Sequence, residues 1–274
     1  GYNVKVLDLK EWVIPKLKAD AYLITCLTPH FQGVVEMLPA IVQNTPWVVI
    51  GGPHATVNPD ECIAAGFDQV VVWEGEKAFL YALTHEDEIV RAGAVNDLDS
   101  LPFPDRNAVD MASYHYTIGG KKATSMMSSR GCPFQCAYCV KHFSRHVRFR
   151  SANNVLAEVD HLRYRFGIEA IQFYDDEFFL NRKRDEIIIR GLAQRSMPYR
   201  CFTRADMAVE PVVQMAADTG CYEVLIGIES GSDRILKNVN KKVTREQNLE
   251  AIRLFKKYGV RVKAAFIIGL PGES

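Results

Sequence analysis

Three cysteines in one short stretch carry the clearest chemical signal in the sequence. The stretch reads Arg130-Gly131-Cys132-Pro133-Phe134-Gln135-Cys136-Ala137-Tyr138-Cys139, so the thiols follow the spacing Cys-x3-Cys-x2-Cys. Three thiolates from one loop can each bind a different iron of a four-iron, four-sulfur cluster and leave the fourth iron open to a ligand. A structural zinc site is the second interpretation, with His142 as the fourth ligand beside the three cysteines. The spacing alone leaves both interpretations open.

Polar side chains follow three of the strands predicted after these cysteines. Asp175, Asp176 and Glu177 follow one strand, Arg204 follows the next, and Glu229 with Ser230 follows the third. Because parallel strands end at the same edge of a sheet, we expect these groups to lie near the cysteines. Each also has an ordinary structural interpretation: a helix cap for an acid, a surface salt bridge for Arg204, and a core salt bridge for Glu229.

Five strand patterns separated by helical patterns position these groups. The strands are predicted at residues 123–128, 170–174, 199–203, 223–228 and 262–268, and Thr244 with Gln247 forms a capping box before one of the helices. Repeated βα units of this length predict an α/β fold, here a partial (βα)6 barrel over residues 123–274. The sixth unit is missing from the pattern, so we predict a barrel truncated at its carboxy-terminal end.

The preceding part of the chain predicts a small doubly wound, Rossmann-like domain over residues 1–95 with a linker at 96–122. Its strands are predicted at 4–9, 21–27, 47–50 and 70–73, and its helices at 33–43, 59–65 and 76–83. The chain begins at Gly1 directly on a strand pattern, so we predict that the first strand and helix of this domain are cut off.

Composition restricts the classes of partner and the compartment. The 274 residues are 48% hydrophobic and 24% charged, with 33 basic and 33 acidic residues, so no net charge attracts nucleic acid or an anionic membrane. No apolar run approaches the roughly 18–20 residues of a membrane span. Seven cysteines, an odd number, are poor material for a disulfide framework. We predict a cytoplasmic protein with reduced thiols and no membrane or nucleic-acid partner.

The lead-in Arg130-Gly131-Cys132-Pro133, the cysteine spacing with Tyr138 before the last cysteine, and the strands that follow resemble the radical S-adenosylmethionine (radical SAM) superfamily. The small domain ahead of the barrel is similar to that of the cobalamin-binding subgroup. The resemblance implies a [4Fe-4S] cluster on Cys132, Cys136 and Cys139. It also implies S-adenosylmethionine contacts from a set of residues in the same barrel: Tyr138, Asp176, Glu177, Arg204, Glu229 and Ser230.

In the amino-terminal domain the resemblance implies that Thr25, Leu27, Gly51 and Gly52 face cobalamin, although a tight turn also explains the two glycines. The family's Asp-x-His-x-x-Gly loop, whose histidine lies below the cobalt, does not occur in the 274 residues. Three explanations stay open: the loop is truncated, cobalamin binds without a histidine, or the domain is vestigial. His30 and His54 are possible substitute ligands, although a lone loop histidine is more often structural.

The resemblance further implies reductive cleavage of S-adenosylmethionine to methionine and a 5′-deoxyadenosyl radical, with an electron from a reductant such as flavodoxin or ferredoxin. We predict cobalamin-dependent methyl transfer to an unidentified small-molecule or peptide substrate. The alternatives are a radical SAM cyclase or rearrangement enzyme, a zinc-stabilised non-enzymatic module, and an inactive fragment with an intact cluster loop. Loops that select a substrate are not readable from the sequence.

Overall fold

The computed structural model describes residues 2–9, 18–140 and 143–273, and it divides the chain into two compact units, residues 1–96 and 97–274. His142, the fourth ligand of the zinc interpretation, lies outside the described residues. Among the described residues, no helix is both long enough and apolar enough to cross a membrane.

The first unit is a parallel sheet with the strand order β1-β2-β3-β4. Its elements are β1 (Tyr22–Thr25), α1 (Phe31–Ile41), β2 (Val48–Gly51), α2 (Pro53–Val57), α3 (Pro59–Ala64), β3 (Gln69–Val72), α4 (Gly75–Ala82) and β4 (Ile89–Arg91). Every residue of β2 and β3 is buried. Because neighbouring side chains of a strand point to opposite faces, Val48 and Ile50 enter one apolar cluster and Val49 and Val71 enter another.

The sequence prediction for this unit contained one strand that does not form and omitted one that does. Residues 2–9 do not form a strand, and Val4 and Val6 are 74% and 46% exposed. An alternating pattern indicates which side chains share a face, but a strand also needs a neighbouring strand to bond, and the sheet begins at β1. The strand β4 was not predicted, because three residues are too short to show a period of two.

The second unit contains a sheet with the order β12-β11-β10-β9-β6-β5, in which five strands are parallel and β5 pairs antiparallel with β6. Its elements are β5 (Thr117–Ile118), β6 (Lys121–Met126), β7 (Ser129–Arg130), β8 (Arg148–Phe149), α5 (Ala152–Phe166), β9 (Ala170–Phe173), α6 (Arg182–Gln194), β10 (Tyr199–Thr203), α7 (Glu210–Asp218), β11 (Cys221–Glu229), α8 (Asp233–Asn238), α9 (Arg245–Lys257) and β12 (Arg261–Phe266). The predicted α/β class, a Rossmann-like sheet followed by a partial barrel of five parallel strands, is confirmed.

Apolar stripes of the helices pack on one side of this sheet. In α5, Val155, Val159 and Leu162 recur at helical spacing and contact the same cluster as Ile171 and Phe173 of β9. The predicted capping box before α9 is confirmed, since Thr244 accepts a hydrogen bond from the Gln247 amide and the Gln247 side chain accepts one from the Thr244 amide. Asp176, Arg204 and Glu229 lie at or just after the carboxyl ends of β9, β10 and β11.

The segment predicted as a linker contains three short 3-10 helices, Leu98–Ser100, Arg106–Ala108 and Met111–Ser113, each capped by an aspartate side chain. Arg106 donates to Glu158 of α5 at 2.9 Å, and Arg150 donates to the same buried carboxylate at 2.6 Å. Because a buried carboxylate must be paired, this clamp attaches residues 106–108 to the barrel.

Candidate functional site

The three cysteines lie in one loop that a short antiparallel ribbon closes. Strand β7, which precedes the cysteines, pairs with β8, which follows them, so the two ends of the loop lie side by side. Gly131 begins the loop with a φ of +96°, and a Cβ at this position would lie 2.5 Å from the carbonyl oxygen of His146. Only glycine combines this dihedral with so close an approach. The glycine before the first cysteine therefore shapes the loop.

The three thiols differ in exposure. Cys136 is buried, Cys132 is partly buried and Cys139 is exposed. Burial raises the pKa of the Cys132 thiol, and the negative charge of Asp176 acts in the same direction. Because iron binds the thiolate, ligation has to release that proton, and a nearby cation favours its release.

Asp175 connects the end of β9 to the beginning of the cysteine loop. Its side chain is fully buried and accepts three hydrogen bonds, from the Ser128 amide at 2.7 Å and from the hydroxyls of Ser128 and Ser129 at 2.5 and 2.6 Å. Burial raises the pKa of Asp175, against the effect of these donors. Ser128 and Ser129 precede Arg130 directly, so Asp175 determines where the loop leaves the sheet.

Glu177 connects the end of β9 to the end of β10. It is fully buried, and its oxygens accept from the Phe179 amide at 3.1 Å, the Thr203 hydroxyl at 3.0 Å and the Arg204 amide at 2.7 Å. Burial raises the pKa of Glu177 to about 8. Asp176, between these two buried acids, is exposed, so it is the acid of this run that is accessible at the site.

Arg204 lies directly against the cysteine loop. Its guanidinium donates to the Cys136 Sγ at 3.2 Å through Nη1, to the Lys241 carbonyl oxygen at 2.7 Å through Nη2, and to both carboxylate oxygens of Asp206 at 2.9 and 3.0 Å. The ring of Phe134 stacks on it, with 3.8 Å between the guanidinium carbon and the ring centroid. Each of its three side-chain nitrogens thus has a partner within the protein.

Glu229 forms a buried ion pair at the end of β11. Its Oε1 accepts from the Lys241 Nζ at 3.0 Å, and the same Nζ donates to the Tyr138 hydroxyl at 3.0 Å. The two charged side chains are 9% and 4% exposed. Burial and the charge of Glu229 raise the pKa of Tyr138 well above its ordinary range. Ser230, the next predicted residue, is 5% exposed and lies beside this pair in the chain.

A glycine makes room for this ion pair. A Cβ at Gly227 would lie 2.3 Å from Glu229 Oε1 and 3.0 Å from Lys241 Nζ. Glu229 itself has a φ of +63°, and the register between β11 and β12 shifts between Gly227 and Glu229. The bulge turns the carboxylate back over the glycine, as bulges at strand ends commonly redirect side chains.

Residues 239–241, after α8, hold the cysteine loop from the opposite side. The Ala137 amide donates to the Val239 carbonyl oxygen at 2.8 Å, and the Asn240 side chain donates to the Gln135 carbonyl oxygen at 2.8 Å. Lys241 contributes its contacts with Tyr138 and Arg204. The sequence analysis did not identify this segment, because its partners lie about 100 positions earlier in the chain and no local pattern indicates such a contact. Gly227 was detectable, since a glycine inside an apolar strand often marks a bulge.

In the first unit, the four predicted cobalamin residues lie at the carboxyl ends of β1 and β2. Gly52 has a φ of +89°, and a Cβ there would lie 2.3 Å from the Thr25 Oγ1. Leu27 and Trp73 are 49% and 40% exposed after β1 and β3, on either side of the glycine pair Gly51-Gly52 that follows β2. The glycine pair, which has no side chains, lies between the exposed apolar side chains of Leu27 and Trp73. This arrangement fits the flat corrin ring of cobalamin.

His54 is packed into this unit. It is 2% exposed, its ring stacks on Phe31 with 3.8 Å between centroids, and its Nδ1 lies 3.3 Å from the Thr28 hydroxyl. Its Nε2 lies 3.5 Å from a Glu61 oxygen. These contacts pack His54 into the core of the unit, and its role as a substitute cobalt ligand stays a prediction.

The cysteine loop has the donor set that an iron–sulfur cluster requires. Cys132, Cys136 and Cys139 are thiols that form no disulfide, and the Arg204 guanidinium places a cation beside the buried one. In the described part of the chain, no three histidine, cysteine, aspartate or glutamate side chains converge on a position for a single metal ion. The thiolates of a cubane bind separate irons, so they need not converge in that way.

Family profiles match both units. The profile of the radical SAM superfamily matches residues 126–274, and the profile described as B12 binding domain matches residues 1–83. An uncharacterized methyltransferase of Pyrococcus horikoshii is 31% identical over 96% of this chain and 63% of its own length. The anaerobic magnesium-protoporphyrin IX monomethyl ester cyclase of Cereibacter sphaeroides is 27% identical over 94% of this chain and 48% of its own length. The chain thus spans about half to two thirds of the length of these relatives.

Solved structures share the fold. The cobalamin-dependent S-adenosylmethionine radical enzyme OxsB, with aqua-cobalamin bound, superposes with a TM-score of 0.74 at 21% identity, covering 92% of this chain and 41% of that one. The radical S-adenosylmethionine methyltransferase TsrM from Kitasatospora setae, with cobalamin and a [4Fe-4S] cluster bound, gives a TM-score of 0.72 at 18% identity, covering 94% and 60%. With the superfamily profile matching more than half of its residues, the chain belongs to the radical SAM superfamily.

Proposed function

We propose that this chain is the cofactor-binding part of a cobalamin-dependent radical SAM methyltransferase. The observation that carries the proposal is the three-thiol loop at the carboxyl ends of the barrel strands, with one thiol hydrogen-bonded to Arg204. In this proposal Cys132, Cys136 and Cys139 hold a [4Fe-4S] cluster. When bound, that cluster supplies the electron for reductive cleavage of S-adenosylmethionine, and cobalamin supplies a carrier for the methyl group.

The chain's own residues divide into those that touch S-adenosylmethionine and those that position the site. We propose that Asp176, Tyr138, Glu229 and Ser230 line the S-adenosylmethionine site. Tyr138 belongs to the cysteine loop, the exposed Asp176 acts on the Cys132 thiol, and Glu229, which Ser230 follows in the chain, is connected to Tyr138 through Lys241. Glu177 has three internal donors, so we assign it to holding the ends of β9 and β10 together rather than to a ligand contact.

Cobalamin binding by the first unit is proposed from the glycine pair at the end of β2 and the exposed side chains of Leu27 and Trp73. The Thr25 side chain occupies the space that a Cβ at Gly52 would need, and Gly51 is the last residue of β2. Two relatives that match nearly the whole chain are named as methyltransferases, and the superposed TsrM and OxsB structures contain cobalamin. These names support methyl transfer as the reaction class.

Anaerobic reconstitution with iron and sulfide tests the cluster proposal. After reduction by dithionite and addition of S-adenosylmethionine, we expect 5′-deoxyadenosine to form with the unaltered chain. Cys136→Ala should abolish both the cluster and this product. Cys201→Ala is the matched control, because Cys201 is also a buried thiol, in the barrel core, and its replacement should leave both intact. Zinc in place of iron, with no acid-labile sulfide, would refute the proposal in favour of a zinc-stabilised module.

A cyclase or rearrangement enzyme is the second candidate, favoured by the cyclase among the relatives. The two reactions leave different remains of S-adenosylmethionine. Radical methyl transfer consumes two molecules of S-adenosylmethionine and leaves S-adenosylhomocysteine as well as 5′-deoxyadenosine and methionine, whereas a cyclase that only abstracts hydrogen leaves 5′-deoxyadenosine and methionine alone. Chromatography of turnover mixtures containing added cobalamin decides between them, and 5′-deoxyadenosine without any S-adenosylhomocysteine would exclude methyl transfer.

A further inference from the structure

The guanidinium of Arg204 is placed to act on a cysteine sulfur. Its Nη1 lies 3.2 Å from the Cys136 Sγ, and both side chains are buried, at 6% and 9% exposure. No water is needed to bridge such a contact. Because charges interact more strongly away from solvent, the contact brings one unit of positive charge directly to a proposed iron ligand.

The guanidinium is held in this position from every other side. Asp206 accepts two parallel hydrogen bonds from it, the Lys241 carbonyl oxygen accepts a third, and the Phe134 ring covers its face at 3.8 Å. A bidentate pair with stacking is the most rigid arrangement available to arginine. Asp206 is 25% exposed, so solvent screens its negative charge more than it screens the buried guanidinium.

We propose that Arg204 is a positioning residue that raises the reduction potential of the cluster through an N–H···S hydrogen bond to Cys136. The inference rests on the function proposed above. Reduction adds one electron from an external one-electron donor to the cluster, and no bond of the protein is made or broken. The added negative charge is shared with the thiolate sulfurs, so a cation and a donor at one sulfur stabilise the reduced form more than the oxidised form.

This role is distinguishable from a direct contact between Arg204 and S-adenosylmethionine. If Arg204 serves mainly to bind the cosubstrate, its replacement changes the affinity for S-adenosylmethionine and leaves the potential of the cosubstrate-free cluster unchanged. If it acts through Cys136, the potential changes without any cosubstrate present. The midpoint potential is therefore measured in the absence of S-adenosylmethionine.

The test is a redox titration of the reconstituted chain, followed by electron paramagnetic resonance of the reduced cluster, with iron and sulfide content measured in every sample. Arg204→Met removes both the charge and the donors. At the midpoint potential of the unaltered chain we expect its ratio of reduced to oxidised cluster to fall about tenfold, which corresponds to about 59 mV for one electron. Arg204→Lys should show a smaller decrease, because an ammonium cannot bond Asp206 and Cys136 in the same fork.

Arg195→Met is the matched control. Arg195 also forms a bidentate pair with an aspartate, Asp160, at 2.6 Å for both bonds, and it lies directly after α6. Its replacement should leave the midpoint unchanged. An unchanged midpoint in Arg204→Met, or an equal shift in Arg195→Met, would overturn the inference. If Arg204→Met holds no cluster, Arg204→Lys decides, and an unchanged midpoint there overturns the inference as well. No cluster in the unaltered chain would instead refute the proposed function, and the inference with it.

Discussion

Gly227→Ala should disrupt the ion pair between Glu229 and Lys241. The new Cβ would lie 2.3 Å from Glu229 Oε1, which is more than 1 Å closer than ordinary contact allows. The carboxylate must move away by about that much, so its 3.0 Å bond to the Lys241 Nζ is lost. Breaking a buried pair costs about 3–5 kcal/mol, and because Glu229 lies at a strand end and can turn outward, we expect about 3 kcal/mol.

The assay is urea unfolding of the barrel unit together with equilibrium dialysis of S-adenosylmethionine under anaerobic conditions. With a slope of about 2 kcal/mol per molar urea, a loss of about 3 kcal/mol lowers the unfolding midpoint by about 1.5 M. We also expect affinity for S-adenosylmethionine to fall at least about tenfold, since one misplaced charged hydrogen bond is worth about 1.5–3 kcal/mol.

Gly231→Ala is the matched control, because Gly231 lies two residues after Glu229 and nothing lies within 4 Å of a Cβ built there. It should unfold at the same urea concentration as the unaltered chain and bind S-adenosylmethionine equally well. If Gly227→Ala behaves like Gly231→Ala, the close packing of this carboxylate against the glycine has no energetic consequence, and the assignment of Gly227 as its support is refuted.

Two further predictions concern cobalamin and pH. Gly52→Ala should abolish cobalamin binding, measured by the visible absorbance retained after gel filtration, because its Cβ would collide with Thr25. Gly66→Ala is the control, since Gly66 also has a positive φ but lies elsewhere, and this variant should bind cobalamin normally. An equal loss of cobalamin in both variants would refute the assignment of Gly52 to the cobalamin site. Burial raises the pKa of Asp185 from 3.8 to about 7, so the folded chain retains a proton that the unfolded chain has released, and stability falls by about 1 kcal/mol per unit as pH rises through that window. Asp185→Asn should flatten this slope in urea unfolding, and an unchanged slope would show that Asp185 is ionised when folded.

The parts of this protein that could be read from the sequence depend on short-range patterns. The strand Tyr199–Thr203 was predicted to the residue, and the other four parallel barrel strands to within three residues, because a helical pattern separates each strand from the next. The strand predicted at residues 4–9 shows the limit of this reasoning. Its alternation is real, but pairing with a neighbouring strand is a long-range event that a local pattern does not contain.

The candidate site divides in the same way. Residue types and spacing identified the three thiols, and the order of the strands indicated that Asp176, Arg204 and Glu229 would be found at the same end of the barrel. Which of these side chains is accessible was not predictable, because Glu177 and Arg204 are engaged by internal partners that only folding brings near. Neighbours in sequence thus differ in role: Asp176 is exposed, and Glu177 is fully buried.

The chemistry available to this chain, three thiolates in one loop at the end of a strand, follows from covalent spacing of a few residues. The environment of those thiols does not. Arg204 meets Cys136 across 68 positions, and Lys241 meets Tyr138 across 103. Such contacts depend on how the ends of β6, β10 and β11 and the turn after α8 pack together, and close packing in three dimensions leaves no periodic signal along the chain.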